Sequence, residues 1–303
     1  MANDDAAGAP GTSEDEQSAF PAPVWRRGEP NVAGATHVGV VREVNQDAFG
    51  RFDDPDRGEI LLVVADGLGG HRGGEVASRM AVERIGEVVL AGEGDGPSRL
   101  ERGVRLANDA ILEASREDLT LDGMGTTIVC LLLAEEGAST VAHVGDSRLY
   151  RLRGKGIDCL TEDHSLVATL VREGVLAPEA ARDDPRRNQI LRALGVREDV
   201  EVDLAPVELQ PGDGYLLCSD GLHGMIEDAE IATLVQAVAR PETAVEHLIE
   251  AANAAGGTDN VTCVLAKVPA PMGEPGLLDK ASALFDSARS MRKRRSGEAA
   301  EDG

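Results

Sequence analysis

The middle of the chain reads Thr126-Thr-Ile-Val-Cys-Leu-Leu-Leu133, Thr140-Val-Ala-His-Val144 and Arg148-Leu-Tyr-Arg-Leu-Arg153, three short apolar segments in close succession. Each segment has the length and the aliphatic or β-branched content of a buried strand. Only Gly145-Asp146-Ser147 separates the second segment from the third, so there is no room for a crossover helix. Because parallel strands need such a helix, we predict that the three segments form an antiparallel meander.

Strand and helix patterns continue on both sides of this region. Short apolar runs predict further strands, and apolar residues at helical spacing predict helices. The predicted strands cover 59–65, 214–219 and 260–267, and the predicted helices cover 75–90, 100–111, 228–238 and 243–254. We therefore expect antiparallel sheet packed under pairs of helices, within one domain.

The composition favours a folded, acidic protein. Hydrophobic residues make up 42% of the 303 residues, which is enough for a core. Thirty Lys and Arg residues stand against 54 Asp and Glu, a net charge of −24 that disfavours nucleic acid as a partner and favours a metal cation. No apolar run reaches the ~20 residues of a membrane span, and residues 1–16 lack the apolar core of a signal peptide. With four cysteines and no CxxC pair, we predict a cytoplasmic protein, and we expect a monomer.

Three regions differ in composition. Residues 1–30 are rich in Gly, Ala, Pro and acidic residues, which predicts a disordered acidic leader. Residues 31–269 carry the periodic apolar pattern of the folded domain. Residues 270–303 predict a short amphipathic helix followed by a basic, mostly disordered tail. The tail has two interpretations, a solvated end or a segment that binds a membrane surface or an acidic partner.

Five aspartates lie at strand ends or in the turns beside them: Asp47, Asp66, Asp146, Asp220 and Asp259. If these strand ends meet at one edge, the carboxylates repel one another and their pKa values rise. Mg²⁺ or Mn²⁺ relieves that repulsion, because both ions prefer oxygen ligands. A single Asp-Gly pair is usually an ordinary turn, so this prediction depends on the whole set.

Seven motifs then follow one another along the chain. They are Arg42-Glu-Val-Asn-Gln-Asp47, Val64-Ala-Asp-Gly-Leu-Gly-Gly-His71, Gly125-Thr-Thr127, Val144-Gly-Asp-Ser-Arg148, Leu160-Thr-Glu-Asp-His-Ser165, Cys218-Ser-Asp-Gly221 and Gly257-Thr-Asp-Asn260. In this order they resemble the metal-dependent type 2C serine/threonine protein phosphatase (PPM) family in its bacterial form. The resemblance implies an α+β fold, a four-layer α-β-β-α sandwich of two antiparallel sheets flanked by helix pairs.

The resemblance also implies a metal site. Two Mn²⁺ or Mg²⁺ ions bridged by a water would be held by Asp47, Asp66, the Gly67 carbonyl, Asp220 and Asp259. Asp146, with help from Asp220, would hold a third ion.

Further roles follow from the same resemblance. Arg42 is implied to bind phosphate, and its planar fork suits two phosphate oxygens. Together with Asp66 and Asp220 it would make up the catalytic set. Asn260 would orient Asp259 without binding a metal ion itself. Gln46, also next to the ligands, occupies a position where members of the family commonly have an acidic residue.

The source of the leaving-group proton stays open. Many eukaryotic members have His directly after the Asp-Gly pair, but this chain has Leu68. His71 and His164 are candidates for proton transfer, and a structural or surface hydrogen bond is the alternative for each.

The implied reaction is hydrolysis of phosphoserine and phosphothreonine in proteins. Two cations that share one water lower its pKa toward ~7, and the resulting hydroxide attacks phosphorus directly. Phosphatases with a cysteine nucleophile require an arginine six residues after that cysteine. No cysteine of this chain has one, which excludes a thiol nucleophile. The physiological partner would be a bacterial Ser/Thr kinase that the enzyme opposes. A non-catalytic binding or regulatory module of the same fold is the alternative function.

The polar segment over 173–198 matches a mobile flap beside the cleft of the family. Four arginines there are candidates to meet an acidic or phosphorylated substrate, and a solvated loop is the alternative: Arg182, Arg186, Arg187 and Arg192.

Overall fold

The structure, a computed structural model, describes residues 30–69 and 73–269. The leader predicted over 1–30 lies outside the described residues except for its last position, and the tail predicted over 270–303 lies wholly outside them. Within the described ranges, no helix is long and apolar enough to cross a membrane.

Runs of strands and runs of helices follow one another along the described chain. The strands are β1 Asn31–His37, β2 Asp47–Asp54, β3 Glu59–Leu68, β4 Gly125–Thr126, β5 Ile128–Ala134, β6 Ser139–Val144, β7 Arg148–Arg153, β8 Gly156–Cys159, β9 Asp203–Val207, β10 Gly214–Cys218 and β11 Val261–Lys267. The α-helices are α1 Gly73–Ala91, α2 Gly96–Glu117, α3 Leu166–Arg172, α4 Pro178–Ala181, α5 Asp220–His223, α6 Asp228–Gln236 and α7 Pro241–Ala254.

The strands form two antiparallel sheets. One sheet has the order β1-β11-β10-β7-β8. The other has the order β2-β3-β5-β6-β9, and the short β4 pairs with the end of β3.

Strand β3 shows how the layers are built. Successive side chains of a strand point to opposite faces, so an uninterrupted apolar run can be buried on both sides. Leu61 and Val63 join a core with Ile85 of α1 and other residues of α1 and α2. Leu62 and Val64 join a second core that lies between the two sheets.

Helices α6 and α7 cover the outer face of the other sheet. Ile231 and Leu248 pack with Leu216 of β10 and Leu265 of β11. The order of layers is helix pair, sheet, sheet, helix pair, which confirms the predicted α+β four-layer sandwich.

The predicted meander is wrong at its third strand. β5 and β6 pair as predicted, with Ile128 opposite Val144. β7 instead pairs with β10 and β8 in the other sheet, with Leu149 opposite Leu217. Gly145-Asp146-Ser147 is therefore a connection between the sheets rather than a hairpin turn. Both segments are buried strands with antiparallel neighbours, so their spacing alone does not distinguish the two arrangements.

Smaller differences concern the ends of elements. Thr127 interrupts the strand predicted over 126–133, because its backbone N–H donates to the Asp66 carbonyl at 2.9 Å and its hydroxyl accepts from the Asp66 N–H at 3.1 Å. The last helix begins at Pro241, two residues earlier than predicted, as suits proline in a first helical turn.

Candidate metal centre

Strand ends from both sheets bring the five aspartates together. Asp47 is the first residue of β2 and lies opposite Asp66 of β3. Asp220 begins α5 just after β10, and Asp259 stands two residues before β11. Asp146 lies on the connection between β6 and β7.

The pKa values of the carboxyls show that the five aspartates form one cluster. Burial and the charges of the four other aspartates raise the pKa of Asp66 well above its ordinary value. Burial, then Asp220, raises the pKa of Asp146 to about 8. Burial, then Asp259, raises the pKa of Asp220 to about 6. The pKa of Asp47 is raised to about 7, first by burial, and Asp220 and Asp259 add to the effect.

Three of these carboxyls have a buried oxygen without a hydrogen-bond partner in the described structure. The Oδ1 atoms of Asp47, Asp146 and Asp220 are buried and have no hydrogen-bond partner among the described residues. A buried polar atom without a partner is costly, and a buried charge without a partner is more so. Oxygen-only donors suit Mg²⁺ or Mn²⁺ better than a soft metal. The residues present therefore fit the predicted divalent ions.

Backbone packing at Gly67 excludes any side chain. A Cβ atom there would lie 2.2 Å from the Gly74 carbonyl oxygen and 2.5 Å from the Gln46 carbonyl oxygen. Glycine thus lets β3 pass close to α1 and to the residue before Asp47. This close approach holds the predicted carbonyl ligand beside Asp66.

Two hydroxyls that the sequence patterns did not predict influence Asp47. Ser219 Oγ donates to Asp47 Oδ2 at 2.8 Å, and the nearby side chains of Thr262 and Ser219 both lower the pKa of Asp47. Ser219 lies inside the Cys218-Ser-Asp-Gly221 motif. Its position directly before Asp220 could have indicated that it lies close to the metal ligands. Thr262 carried no such signal.

Arg42 lies at the open side of the cluster. Its Nη2 donates to Asp259 Oδ2 at 2.9 Å, and half of its side chain is exposed. A guanidinium has five N–H donors, so this ion pair leaves others for an incoming anion. The geometry suits the predicted contact with phosphate.

Asn260 holds the loop that carries Arg42. Its Oδ1 accepts from the Gln46 backbone N–H at 2.8 Å, and its Nδ2 donates to the carbonyls of Val38 and Val44 at 2.9 and 3.0 Å. Its backbone N–H also donates to Asp259 Oδ1 at 2.9 Å, in keeping with the predicted orienting role.

Comparison with known proteins decides the family. A family model described as protein phosphatase 2C matches residues 33–266. The chain belongs to the protein phosphatase 2C family. It is 39% identical over 236 residues to the serine/threonine phosphatase Stp of Listeria innocua, covering 76% of this chain and 92% of that protein. The enzyme class predicted from the sequence, a protein serine/threonine phosphatase, is thereby confirmed.

Solved structures of the same family have the same fold. The Mycobacterium tuberculosis serine/threonine phosphatase PstP is 37% identical, with a TM-score of 0.72 over 80% of this chain and 99% of that one. A PstP catalytic domain in complex with two manganese ions is 36% identical, with a TM-score of 0.71 over 80% of this chain and 99% of that one. These findings support metal dependence of the protein phosphatase 2C chain described here.

A second polar network surrounds Asp146 of this phosphatase. His223 Nε2 donates to the Asp146 carbonyl at 3.0 Å, and burial, then Arg148, lowers the pKa of His223 to about 3. Arg148 makes two hydrogen bonds to Asp163, at 2.8 and 2.7 Å. His223 carried no site prediction, so this contact is a further feature that the sequence did not reveal.

The two histidines proposed for proton transfer lie in different situations. His71 lies outside the described residues. His164 is 8% exposed and contacts Gly145, His143, Asp203 and Arg192. It lies directly before Ser165, the N-cap residue of α3.

Three of the four flap arginines of the phosphatase, Arg182, Arg186 and Arg192, pair with acidic residues of the protein itself. Arg182 donates to the His223 carbonyl and pairs with Glu227, which ties this segment to α5 and to the start of α6. Arg186 pairs with Asp184. The predicted contact of these side chains with substrate stays a prediction.

Proposed function

We propose that the phosphatase hydrolyses phosphoserine and phosphothreonine in proteins by direct attack of water, without a phospho-enzyme. The observation that carries this proposal is the set of three buried aspartate oxygens without hydrogen-bond partners, gathered in one carboxylate cluster. When bound there, two divalent ions supply Lewis acidity and lower the pKa of water toward ~7.

The aspartates of the cluster are proposed to be the metal ligands. Asp47, Asp66, the Gly67 carbonyl, Asp220 and Asp259 are proposed to hold two ions, either Mn²⁺ or Mg²⁺. Asp146 is proposed to hold a third ion with help from Asp220, whose charge is the strongest electrostatic influence on its pKa.

Arg42 is proposed to orient the phosphate group. Its half-exposed guanidinium lies beside Asp259, so a phosphate bound to Arg42 would lie at the edge of the carboxylate cluster. Charge on the equatorial oxygens of the phosphoryl group must be stabilised in the transition state, and a fixed guanidinium does so at two oxygens.

The decisive experiment measures phosphate release from phosphoserine and phosphothreonine peptides, and from p-nitrophenyl phosphate, with Mn²⁺ present. We expect activity that EDTA abolishes and that Asp220→Asn lowers by about 100-fold or more. Asp53→Asn is the matched control, because Asp53 is half-exposed and pairs only with Arg51 in the described structure. Activity that survives EDTA, or an Asp220→Asn variant as fast as the parent, would contradict the proposal. Metal binding without hydrolysis would favour the non-catalytic module.

The cellular setting is also proposed. We place the enzyme in the cytoplasm, as a monomer that opposes a Ser/Thr kinase. The four cysteines, none of which forms a disulfide in the described structure, support a reducing compartment. Comparison of phosphoproteins in cells with and without the protein tests this setting, and unchanged phosphoserine and phosphothreonine levels would contradict it.

A further inference from the structure

Two hydrogen bonds join His164 to the turn that carries Asp146. The backbone N–H of His164 donates to the Gly145 carbonyl at 2.9 Å. The backbone N–H of Gly145 donates to Nδ1 of the His164 ring at 3.1 Å. Both bonds fall on the residue directly before Asp146, so the ring of His164 and the position of Asp146 are linked through one peptide.

The second bond fixes the tautomer of the ring. A backbone N–H can only donate, so Nδ1 of His164 carries a lone pair and the ring proton sits on Nε2. Nε2 lies 3.3 Å from Asp203 Oδ2, which can accept that proton, and 3.4 Å from Nη1 of Arg192. Burial, then the neighbouring His143, lowers the pKa of His164, in keeping with a neutral ring.

The surroundings leave the ring little freedom. His143 stacks on His164 with ring centroids 4.7 Å apart, and its own Nε2 donates to the Glu162 carbonyl at 3.0 Å. Gly145 has a φ of +114°, which favours glycine, and a Cβ there would lie 2.5 Å from the Thr127 side chain. The turn is thus held in a conformation that few residues adopt.

The same residues could be taken for a cation site. One ligand atom from each of His143, His164 and Asp203 lies within 4.8 Å of the others. A metal at Nε2 of His164 would force the ring proton onto Nδ1, where it would meet the Gly145 N–H. Arg192 also places a positive charge 2.9 Å from Asp203 Oδ1. Both ring nitrogens of His164 therefore already face a partner, Gly145 at Nδ1 and Asp203 at Nε2. For this reason His143, His164 and Asp203 do not suit a cation.

We infer that His164 is a positioning residue that fixes the Gly145-Asp146 turn through its unprotonated Nδ1 and is not a proton donor to substrate. The consequence for metal binding rests on the proposed role of Asp146 as a ligand of the third ion. The contact with the turn does not depend on that role.

Two substitutions test the roles of the two ring nitrogens separately. In His164→Asn the side-chain oxygen lies near the position of Nδ1 and can accept from the Gly145 N–H. In His164→Gln the amide reaches toward the position of Nε2 instead and leaves the Gly145 N–H without its acceptor. His247→Asn, on helix α7, controls for loss of an imidazole elsewhere.

The first measurement is nitrogen NMR of His164 in the full chain near pH 7, which reports the tautomer without reference to activity. We expect the Nε2–H form, and we expect exchange of the Gly145 amide to accelerate in His164→Gln but not in His164→Asn. A ring protonated on Nδ1, or equal exchange in both variants, would overturn the inference. These readouts hold even if the enzyme proves inactive, so they separate this inference from the proposed function.

The second measurement counts bound Mn²⁺ by titration of each variant. We expect the weakest of the bound ions to lose about 10-fold to 100-fold in affinity in His164→Gln, and to stay within about 3-fold of the parent in His164→Asn and His247→Asn. The pH profile of kcat for His164→Asn should keep the shape of the parent profile. A limb missing from that profile would instead identify His164 as the proton donor. If His164→Gln does not fold, the NMR tautomer and the His164→Asn profile still decide.

Discussion

Ser219 Oγ donates to Asp47 Oδ2 at 2.8 Å, although Ser219 follows β10 of one sheet, Asp47 begins β2 of the other, and the two residues lie 172 positions apart in the sequence. Ser219 is itself held by β11, because the Thr262 N–H donates to its Oγ at 3.0 Å and its own N–H donates to the Thr262 carbonyl at 3.0 Å. One oxygen of Asp47 is therefore engaged by the protein, and the other is the buried Oδ1 without a partner. A serine that directly follows a strand of one sheet thus orients a proposed metal ligand of the other sheet.

Removal of this hydroxyl should weaken metal binding. In Ser219→Ala, Asp47 Oδ2 and the Thr262 N–H both lose a partner, so we expect a loss of about 1–3 kcal/mol in the free energy of unfolding. Because Asp47 is no longer oriented, we also expect about 10-fold weaker Mn²⁺ binding, measured by titration. Ser139→Ala is the control, since Ser139 is buried and accepts the Ala134 N–H at 3.0 Å. Equal Mn²⁺ affinity in the two variants would show that Ser219 acts on stability alone.

Arg42 should matter to the reaction far more than to the fold. Its side chain is half-exposed, so Arg42→Ala should change the free energy of unfolding little, while loss of a phosphate-orienting donor should lower kcat/KM by about 100-fold or more. Arg42→Lys should recover only a small part, because an ammonium lacks the planar fork. Arg51→Ala, which removes an exposed partner of Asp53, should have parent kinetics. Steady-state assays with a phosphothreonine peptide test this, and a Lys variant equal to the parent would refute bidentate binding.

Much of the site could be predicted because the ligands lie inside short, local patterns. Asp66 and Asp220 each precede glycine at the end of an apolar strand, and such pairs at several strand ends indicate one acidic edge. The structure brings these residues together with Asp47, Asp146 and Asp259. The order of the motifs along the chain then indicated the family, which the comparisons confirm.

The features that could not be predicted depend on contacts between distant segments. Nothing near Thr262 in the sequence indicates that its side chain influences the pKa of Asp47. The strand over Arg148–Arg153 was assigned to the wrong sheet, because a three-residue connection is equally short whether the next strand stays or crosses over. The role of His164 depends on which ring nitrogen meets Gly145, and a sequence does not specify a tautomer.

Without metal, the acidic cluster should make stability fall as the pH rises. The pKa values of Asp220, Asp47 and Asp146 are raised to about 6, 7 and 8, and the pKa of Asp66 is raised as well, whereas unfolded carboxyls titrate near pH ~4. These carboxyls therefore hold more protons in the folded protein than in the unfolded chain between pH ~4 and ~8. By linkage, the free energy of unfolding decreases through this window. We expect Tm in EDTA to be lower at pH 8 than at pH 5.5.

Mn²⁺ should reverse this trend, because the cation replaces the protons between the carboxylates. Addition of Mn²⁺ should raise Tm more at pH 8 than at pH 5.5, as seen by calorimetry. Asp146→Asn should flatten the decrease in EDTA, since it removes one of the raised carboxyls. Asp158→Asn, at an exposed ion pair with Arg151, should leave the decrease unchanged. A Tm in EDTA that does not fall toward pH 8 would argue against a buried carboxylate cluster.

Asn260 should be needed as an amide rather than only as a polar side chain. In Asn260→Asp, a carboxylate would still accept the Gln46 N–H, but it would face the Val38 and Val44 carbonyls that the amide now satisfies. We expect a loss of about 2 kcal/mol or more in the free energy of unfolding, and weaker Mn²⁺ binding because the neighbouring Asp259 shifts. Asn108→Asp is a close control, since Asn108, on helix α2, likewise accepts one backbone N–H and donates to two carbonyls. Similar stability losses with Mn²⁺ affinity reduced only in Asn260→Asp would show that this amide serves the metal centre, whereas equal affinities would assign it to the fold alone.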